Sequence, residues 1–196
     1  MVLMNGLEID KIIIASVEGS EEAFSELISF YLKPIFNFVY RICGNVKDAE
    51  DITQEVFIKL WRNLKKYRSG KNFKAWLFSI ARNTAIDWLR KRKNINFSEF
   101  SVKGGEDEES ENQLFNSAPD TEPWPDALAA KAEDSKIIEE CMDKLPAIYK
   151  EVIILRYKNQ FTFEEIGEIT KRPENTVKSQ HKRALVALKR LLDATN

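Results

Sequence analysis

Histidine occurs once in the 196 residues and cysteine only twice. Cys43 and Cys141 are far apart in sequence, and neither belongs to a paired-cysteine motif. With one histidine beside them, no zinc site of the usual ligand count can be assembled, so two buried, reduced thiols are expected and no metal or other cofactor. Glycine (7) and proline (6) are also scarce, so little of the chain is built from tight turns and a mostly helical protein is expected. No stretch approaches 18 apolar residues, which excludes a membrane-spanning helix. Residues 12–15 are apolar but too short, and too close behind acids, to form a secretory signal, so the protein is expected to stay in the cytoplasm. Excess charge is lacking too, since the formal net charge is −1.

That average hides segregation. Residues 62–93 hold eleven Lys/Arg against one acid, Asp87, a net of +10. Residues 96–134 hold two Lys against eleven Asp/Glu, a net of −9. Residues 171–190 hold seven Lys/Arg against Glu174, a net of +6. Two basic blocks joined by an acidic one is a pattern about partners, although a basic run by itself is commonly a solvated face.

Periodicity supplies the elements. Phe24, Leu27, Ile28, Tyr31, Ile35, Phe38, Val39 and Ile42 form one stripe of a long helix, with a kink or break expected at Pro34. Gly44-Asn45 is a helix stop. Ile52, Val56, Leu60 and Leu64 line the next helix, with Phe57 and Trp61 beside them. Residues 67–72 read as a loop. A third helix, capped by Asn72, then carries Phe73, Trp76, Leu77, Ile80 and Ala81 inward. Residues 94–130 lose all helical pattern: an acidic run around Gly104-Gly105 and three prolines, Pro119, Pro123 and Pro125, cannot bury a core. A structureless stretch that long is improbable inside one compact domain. The expected division is a domain over 1–94, a flexible acidic linker over 95–132 and a second domain over 133–196.

In the second domain, Leu145-Pro146 marks one helix giving way to another. Thr162 with Glu165 three residues on is a capping box. A turn over residues 170–172 and a basic helix over 173–192 complete a helix-turn-helix plan, whose second helix enters the DNA major groove. Its outer face offers Glu174, Asn175, Thr176, Lys178, Ser179, Lys182 and Arg183. The fold class expected is all-α, as two small helical domains of which the C-terminal one is a helix-turn-helix.

These residues resemble a known family. Glu165-Ile166-Gly167-Glu168-Ile169, followed by Asn175-Thr176-Val177-Lys178-Ser179 and Lys182-Arg183-Ala184, looks like the −35-reading domain of bacterial sigma factors. Response-regulator output domains share much of that pattern, so the first half discriminates. There Asp48-Ala49-Glu50-Asp51-Ile52-Thr53-Gln54-Glu55-Val56-Phe57-Ile58-Lys59-Leu60-Trp61 is similar to the sigma-factor helix that docks on the clamp helices of the polymerase β′ subunit. Residues 73–92 (Phe73-Lys74-Ala75-Trp76 through Arg90-Lys91-Arg92) resemble the element that melts and captures the −10 strand. Two domains with nothing folded between them point to the extracytoplasmic-function (ECF) class.

The resemblance implies roles. Asp48, Asp51, Gln54 and Glu55 would dock on core RNA polymerase, whose β′ clamp helices and β flap are the expected contacts. Tyr67, Arg68, Lys71, Asn72, Arg82, Asn83, Arg90, Lys91 and Arg92 would hold the −10 strand, supplying cations and a stacking face worth ~1–3 kcal/mol per base. The outer-face residues of the last helix would read −35 DNA. An anti-sigma factor is an expected partner, the free protein is expected to be monomeric, and the acidic linker would occupy a basic polymerase channel. Three positions depart from the family pattern. Lys171 replaces a turn glycine and is strained if its φ is positive. His181 replaces a core apolar residue and reads as a satisfied, partly buried histidine. Gln180 replaces a frequent arginine. Two other readings compete. A free-standing helix-turn-helix regulator would bind duplex DNA tightly alone. A metal-dependent nuclease would need the carboxylates of Asp48, Glu50, Asp51 and Glu55, yet no nucleophile–base pair or phosphate loop accompanies them.

Overall fold

A computed structural model describes residues 6–67, 72–93 and 135–195. The expected linker, with its channel role, therefore lies outside the described residues, as do Arg68 and Lys71 of the candidate promoter loop. All regular structure among the described residues is helical. Periodicity places the first helix at Phe24, but the structure adds one before it. α1 covers Gly6–Val17, where Ile13 enters the core and Ile9, Ile12 and Val17 pack against it.

α2 spans Glu21–Cys43, opened by the Ser20 hydroxyl, which accepts the Ala23 N–H at 3.2 Å. It closes at Gly44, whose φ of 71° is the left-handed region that a residue without Cβ occupies at least cost. No break occurs at Pro34, which sits inside one continuous helix. Proline removes one hydrogen bond there, but Tyr31, Ile35 and Phe38 are buried on both sides of it and keep the helix continuous. α3, Val46–Asn63, starts at Asn45, whose side chain accepts the Asp48 N–H at 3.0 Å. A 3₁₀ turn over Leu64–Lys66 follows. α4, Phe73–Lys93, begins as anticipated at Asn72, whose Oδ1 accepts the Ala75 N–H at 3.0 Å. Helices α2, α3 and α4 pack on one another around Leu27, Ile35, Phe38, Ile52, Leu60, Leu77 and Phe78. Cys43 and Cys141 are both buried and free.

After residue 134, α5 (Ser135–Lys144) leads through Pro146 into α6 (Ala147–Ile153), which continues as a π-helical turn over Ile154–Lys158. α7 (Phe163–Thr170) opens on the capping box read from sequence: Thr162 Oγ1 accepts the Glu165 N–H at 3.2 Å, and Glu165 Oε2 accepts the Thr162 N–H at 2.7 Å. α8 covers Glu174–Asp193. Ile166, Ile169, Val177, Ala184 and Leu188 form the centre of this half.

The described residues form the two helical domains read from sequence, and the two are in contact. Their buried residues form one continuous cluster from Ile13 to Leu192, and α4 packs directly on α7. At that seam Phe78 meets Phe161 edge to face, with ring centroids 5.0 Å apart.

Candidate nucleic-acid and partner-binding surfaces

The helix-turn-helix is built around a tight, strained corner. Lys171 has φ 58° and ψ 42°, so the residue that replaces a turn glycine does adopt the left-handed conformation. Gly167 explains itself one turn earlier: a Cβ there would stand 2.8 Å from the backbone oxygen of Arg172. The Arg172 N–H donates to Gly167 O at 3.0 Å, so chain and glycine are drawn together as the turn closes.

This corner directs α8 outward. Glu174, Asn175, Lys178 and Ser179 are exposed on one face, and Thr176, Lys182 and Arg183 are half-buried beside them. Lys178 pairs with Glu174 at 2.9 Å, and Ser179 donates to Asn175 O at 3.0 Å. Behind them His181 is half-buried between Tyr157 and Phe163, with its Nε2 2.9 Å from the Tyr157 hydroxyl. Burial, aided by the Arg156 charge, drives its pKa down to about 4, so the imidazole is neutral near pH 7. Burial likewise raises the Tyr157 hydroxyl.

On α3 the predicted acidic set divides. Asp51 and Gln54 are exposed. Glu55 is half-exposed and bridges Lys59 at 2.9 Å. Asp48 is a correction: its side chain is buried, because it falls on the inward side of the first helical turn, so it is not displayed beside the others. Two apolar residues that sequence reading left out share the outer stripe instead. Ile58 and Trp61 are about half exposed, at 50% and 44%, and Trp61 packs on Phe24 with centroids 4.6 Å apart. Steps of three, four and three from Asp51 through Gln54 and Ile58 to Trp61 were the available signal. The face is therefore mixed, with acid at one end and apolar at the other.

Tyr67, Phe73 and Trp76 form an aromatic cluster with Tyr31, at centroid separations of 5.2–5.8 Å. Phe73 is buried and Trp76 half-buried, as expected of core residues, while Tyr67 keeps part of its ring exposed. Burial pushes the Tyr31 hydroxyl up to about 12 and raises that of Tyr67 as well, with Asp10 adding to both. Arg90 and Lys91 are exposed farther along α4, where Arg90 bridges Asp87 at 2.9 Å. Asn83 is half-buried, and the Arg92 side chain lies outside the described residues.

Arg82 departs from the expectation of a displayed cation. It is 5% exposed, and its Nε lies 2.5 Å from Glu151 Oε1 on α6. Arg172 reaches the same carboxylate at 3.1 Å and also donates to Gln180 Oε1 at 3.1 Å. Lys74, absent from the predicted set, donates to Asn159 O at 2.6 Å and lies 4.6 Å above the Phe161 ring. Burial lowers the pKa of Lys74, with Glu165 opposing, and that of Arg172, with Glu151 opposing. Asn72 donates from its side chain to Glu165. Periodicity cannot find the Arg82–Glu151, Lys74–Asn159 and Asn72–Glu165 pairs, because their members are 69 to 93 residues apart.

Among the described residues no group of His, Cys, Asp and Glu is placed to hold a metal ion, and no helix is long and apolar enough to cross a membrane.

Comparison with known proteins matches the same two halves. A family model described as sigma-70 region 2 matches residues 27–95, and one described as sigma-70 region 4 matches residues 135–188. The ECF RNA polymerase sigma factor SigW of Bacillus subtilis is 34% identical over 175 residues, covering 89% of this chain and 91% of the relative. SigX of the same organism is 28% identical, covering 88% and 85%. Among solved structures, the sigma factor RpoE of Bartonella quintana, bound to the anti-sigma factor NepR, is 25% identical with a TM-score of 0.62, covering 88% of this chain and 98% of that one. CnrH bound to the cytosolic domain of CnrY has a TM-score of 0.67 at 20% identity over 96% and 99%, a likeness of fold.

Proposed function

This chain belongs to the ECF class of RNA polymerase sigma factors, and from that premise we propose which of its surfaces does what. It directs promoter-specific transcription initiation with core RNA polymerase. The carrying observation is that two family-matched segments, regions 2 and 4, occur in order along one chain, each with a basic helix.

The outer face of α8, with Glu174, Asn175, Thr176, Lys178, Ser179, Lys182 and Arg183, reads the −35 duplex. Lysine and arginine donate to guanine or phosphate, and Asn175 and Ser179 position or read. The Tyr67 loop and α4, with Asn72, Asn83, Arg90, Lys91 and Arg92, capture the −10 strand. Opening a duplex costs a few kcal/mol per unstacked step, and cations with an aromatic face offset part of that. The domain bounds 1–94, 95–132 and 133–196 follow from this division of labour. Asp51, Gln54 and Glu55 dock on the β′ clamp helices, joined by the apolar surface of Ile58 and Trp61. Its relatives are sigma factors, which catalyse nothing themselves, and we extend that to this chain. Its place of action is the cytoplasm, with the polymerase, and an anti-sigma factor is a further partner, as NepR is for RpoE.

The first test is transcription in vitro from a promoter library, with core polymerase and with or without this protein. Promoter-selective transcripts are expected only when it is added. The double variant Asp51→Lys/Glu55→Lys should weaken core binding by about tenfold or more while helicity stays intact, since neither side chain is buried. Competition binding to core measures it, and undiminished affinity would remove the docking assignment.

A further inference from the structure

A cavity of about 540 Å³ lies between the C-terminal end of α2 and the corner where α5 turns into α6. None of the residues assigned above to DNA or polymerase lines it. Its volume falls within the ~300–1,000 Å³ of pockets that hold small ligands.

The charge on its walls is lopsided. Arg41 stands on the α2 side, and Lys144 and Lys150 stand on the other. Among the described residues, Arg41 and Lys144 have no ion-pair partner. Lys150 pairs with Asp143 at 2.5 Å, but the Asp143 side chain is 73% exposed. Glu151 lines the cavity too, and both its oxygens are taken, Oε1 by Arg82 and Oε2 by Arg172. With those two guanidinium groups included, five cations stand against two carboxylates. The rest of the lining is apolar, with Leu145 and Ile154 buried and Ile42 half-buried.

One ligand carboxylate would leave part of this positive charge unanswered. A phosphate group carries about −1.5 to −2 at neutral pH and offers three strong acceptor oxygens. The planar fork of an arginine fits two of them at once. A nucleotide joins such a group to a flat ring that packs on apolar side chains.

The geometry points to this cavity as a nucleotide-binding site, with the phosphates on Arg41, Lys144 and Lys150 and the base against Ile42, Leu145 and Ile154. Lys150 exchanges Asp143 for a phosphate oxygen, and Asp143 turns to water. That exchange costs little, because an ion pair so open to solvent contributes little. Arg41 belongs to the first half and the two lysines to the second, so the bound nucleotide bridges them.

The test is isothermal titration calorimetry of the full chain with ADP, GDP, CDP and UDP, the corresponding nucleosides and inorganic pyrophosphate. At least one diphosphate should bind saturably at one site per chain, and more tightly than its nucleoside or pyrophosphate. Arg41→Gln and Lys150→Gln should each weaken that binding about tenfold, the loss of one charge-assisted hydrogen bond. Asp143→Asn should tighten it several-fold, because it frees Lys150 and removes a like charge. Lys11→Gln/Lys189→Gln makes similar charge changes at exposed positions elsewhere and should leave binding unaltered. If Arg41→Gln loses helicity, Lys144→Gln, at an exposed position, carries the same measurement. Absence of saturable binding by every diphosphate overturns the site. So does an affinity that falls equally in the Lys11/Lys189 variant, or one that Asp143→Asn fails to raise. Pyrophosphate binding as tightly as every diphosphate overturns the nucleotide assignment.

Discussion

His181 shows how one residue imports a pH dependence into an otherwise ordinary core. Its pKa falls from the usual 6.5 to about 4 on folding, chiefly through burial. The unfolded chain therefore binds a proton that the folded chain refuses, and stability is full above pH 6.5 and declines as the pH falls towards 4. Because the ring is only partly buried, solvent screening reduces the effect to about 1 kcal/mol between pH 6.5 and 5. Urea titrations across that window should show the midpoint falling with pH, and His181→Leu should flatten it. An equally steep slope in the variant would place the effect elsewhere.

At the scale of elements, the helix-turn-helix corner holds two residues under opposite constraints. Gly167 has no room for a Cβ because the Arg172 carbonyl stands where it would go, and backbone does not yield as a flexible side chain does. Gly167→Ala should cost about 1–3 kcal/mol, the usual range for overpacking. Lys171 is the converse, a side chain held at positive φ where glycine would be unstrained. Lys171→Gly should add about 1 kcal/mol, the size of the left-handed penalty it removes. Equilibrium unfolding in urea measures both, and a destabilised Lys171→Gly would mean that the lysine side chain makes a compensating contact.

Across the molecule, the described residues present one continuous buried cluster although two family-matched segments compose it. Closed in this way, the halves share Phe78, Phe161 and the Glu151 cluster, so neither melts without exposing part of the other. Calorimetry of the free chain should give a single transition with matching calorimetric and van't Hoff enthalpies. Two resolved transitions would mean that the halves are independent at rest.

How much of this was legible beforehand follows the range of the interactions involved. Capping at Asn72 and the Thr162–Glu165 box, the stop at Gly44 and the outward face of α8 all depend on residues within a turn or two. Sequence alone determined them, together with the all-helical class and the separation of charge. The outer residues of α8 could be chosen because one helical period divides inside from outside. The same period misjudged Asp48, which belongs to the buried side by a fraction of a turn, and it passed over Ile58 and Trp61, apolar residues left facing water. At Pro34 the local rule allows a kink or a break, and the helix runs through it because the rule counts the lost hydrogen bond but not the packing that spans it. Arg82, Lys74 and Glu151 were beyond local reading altogether. Their pairing requires α4 and α6 to meet, and whether a guanidinium faces solvent or a buried carboxylate is decided by which surfaces exclude water together, a property of the assembled fold.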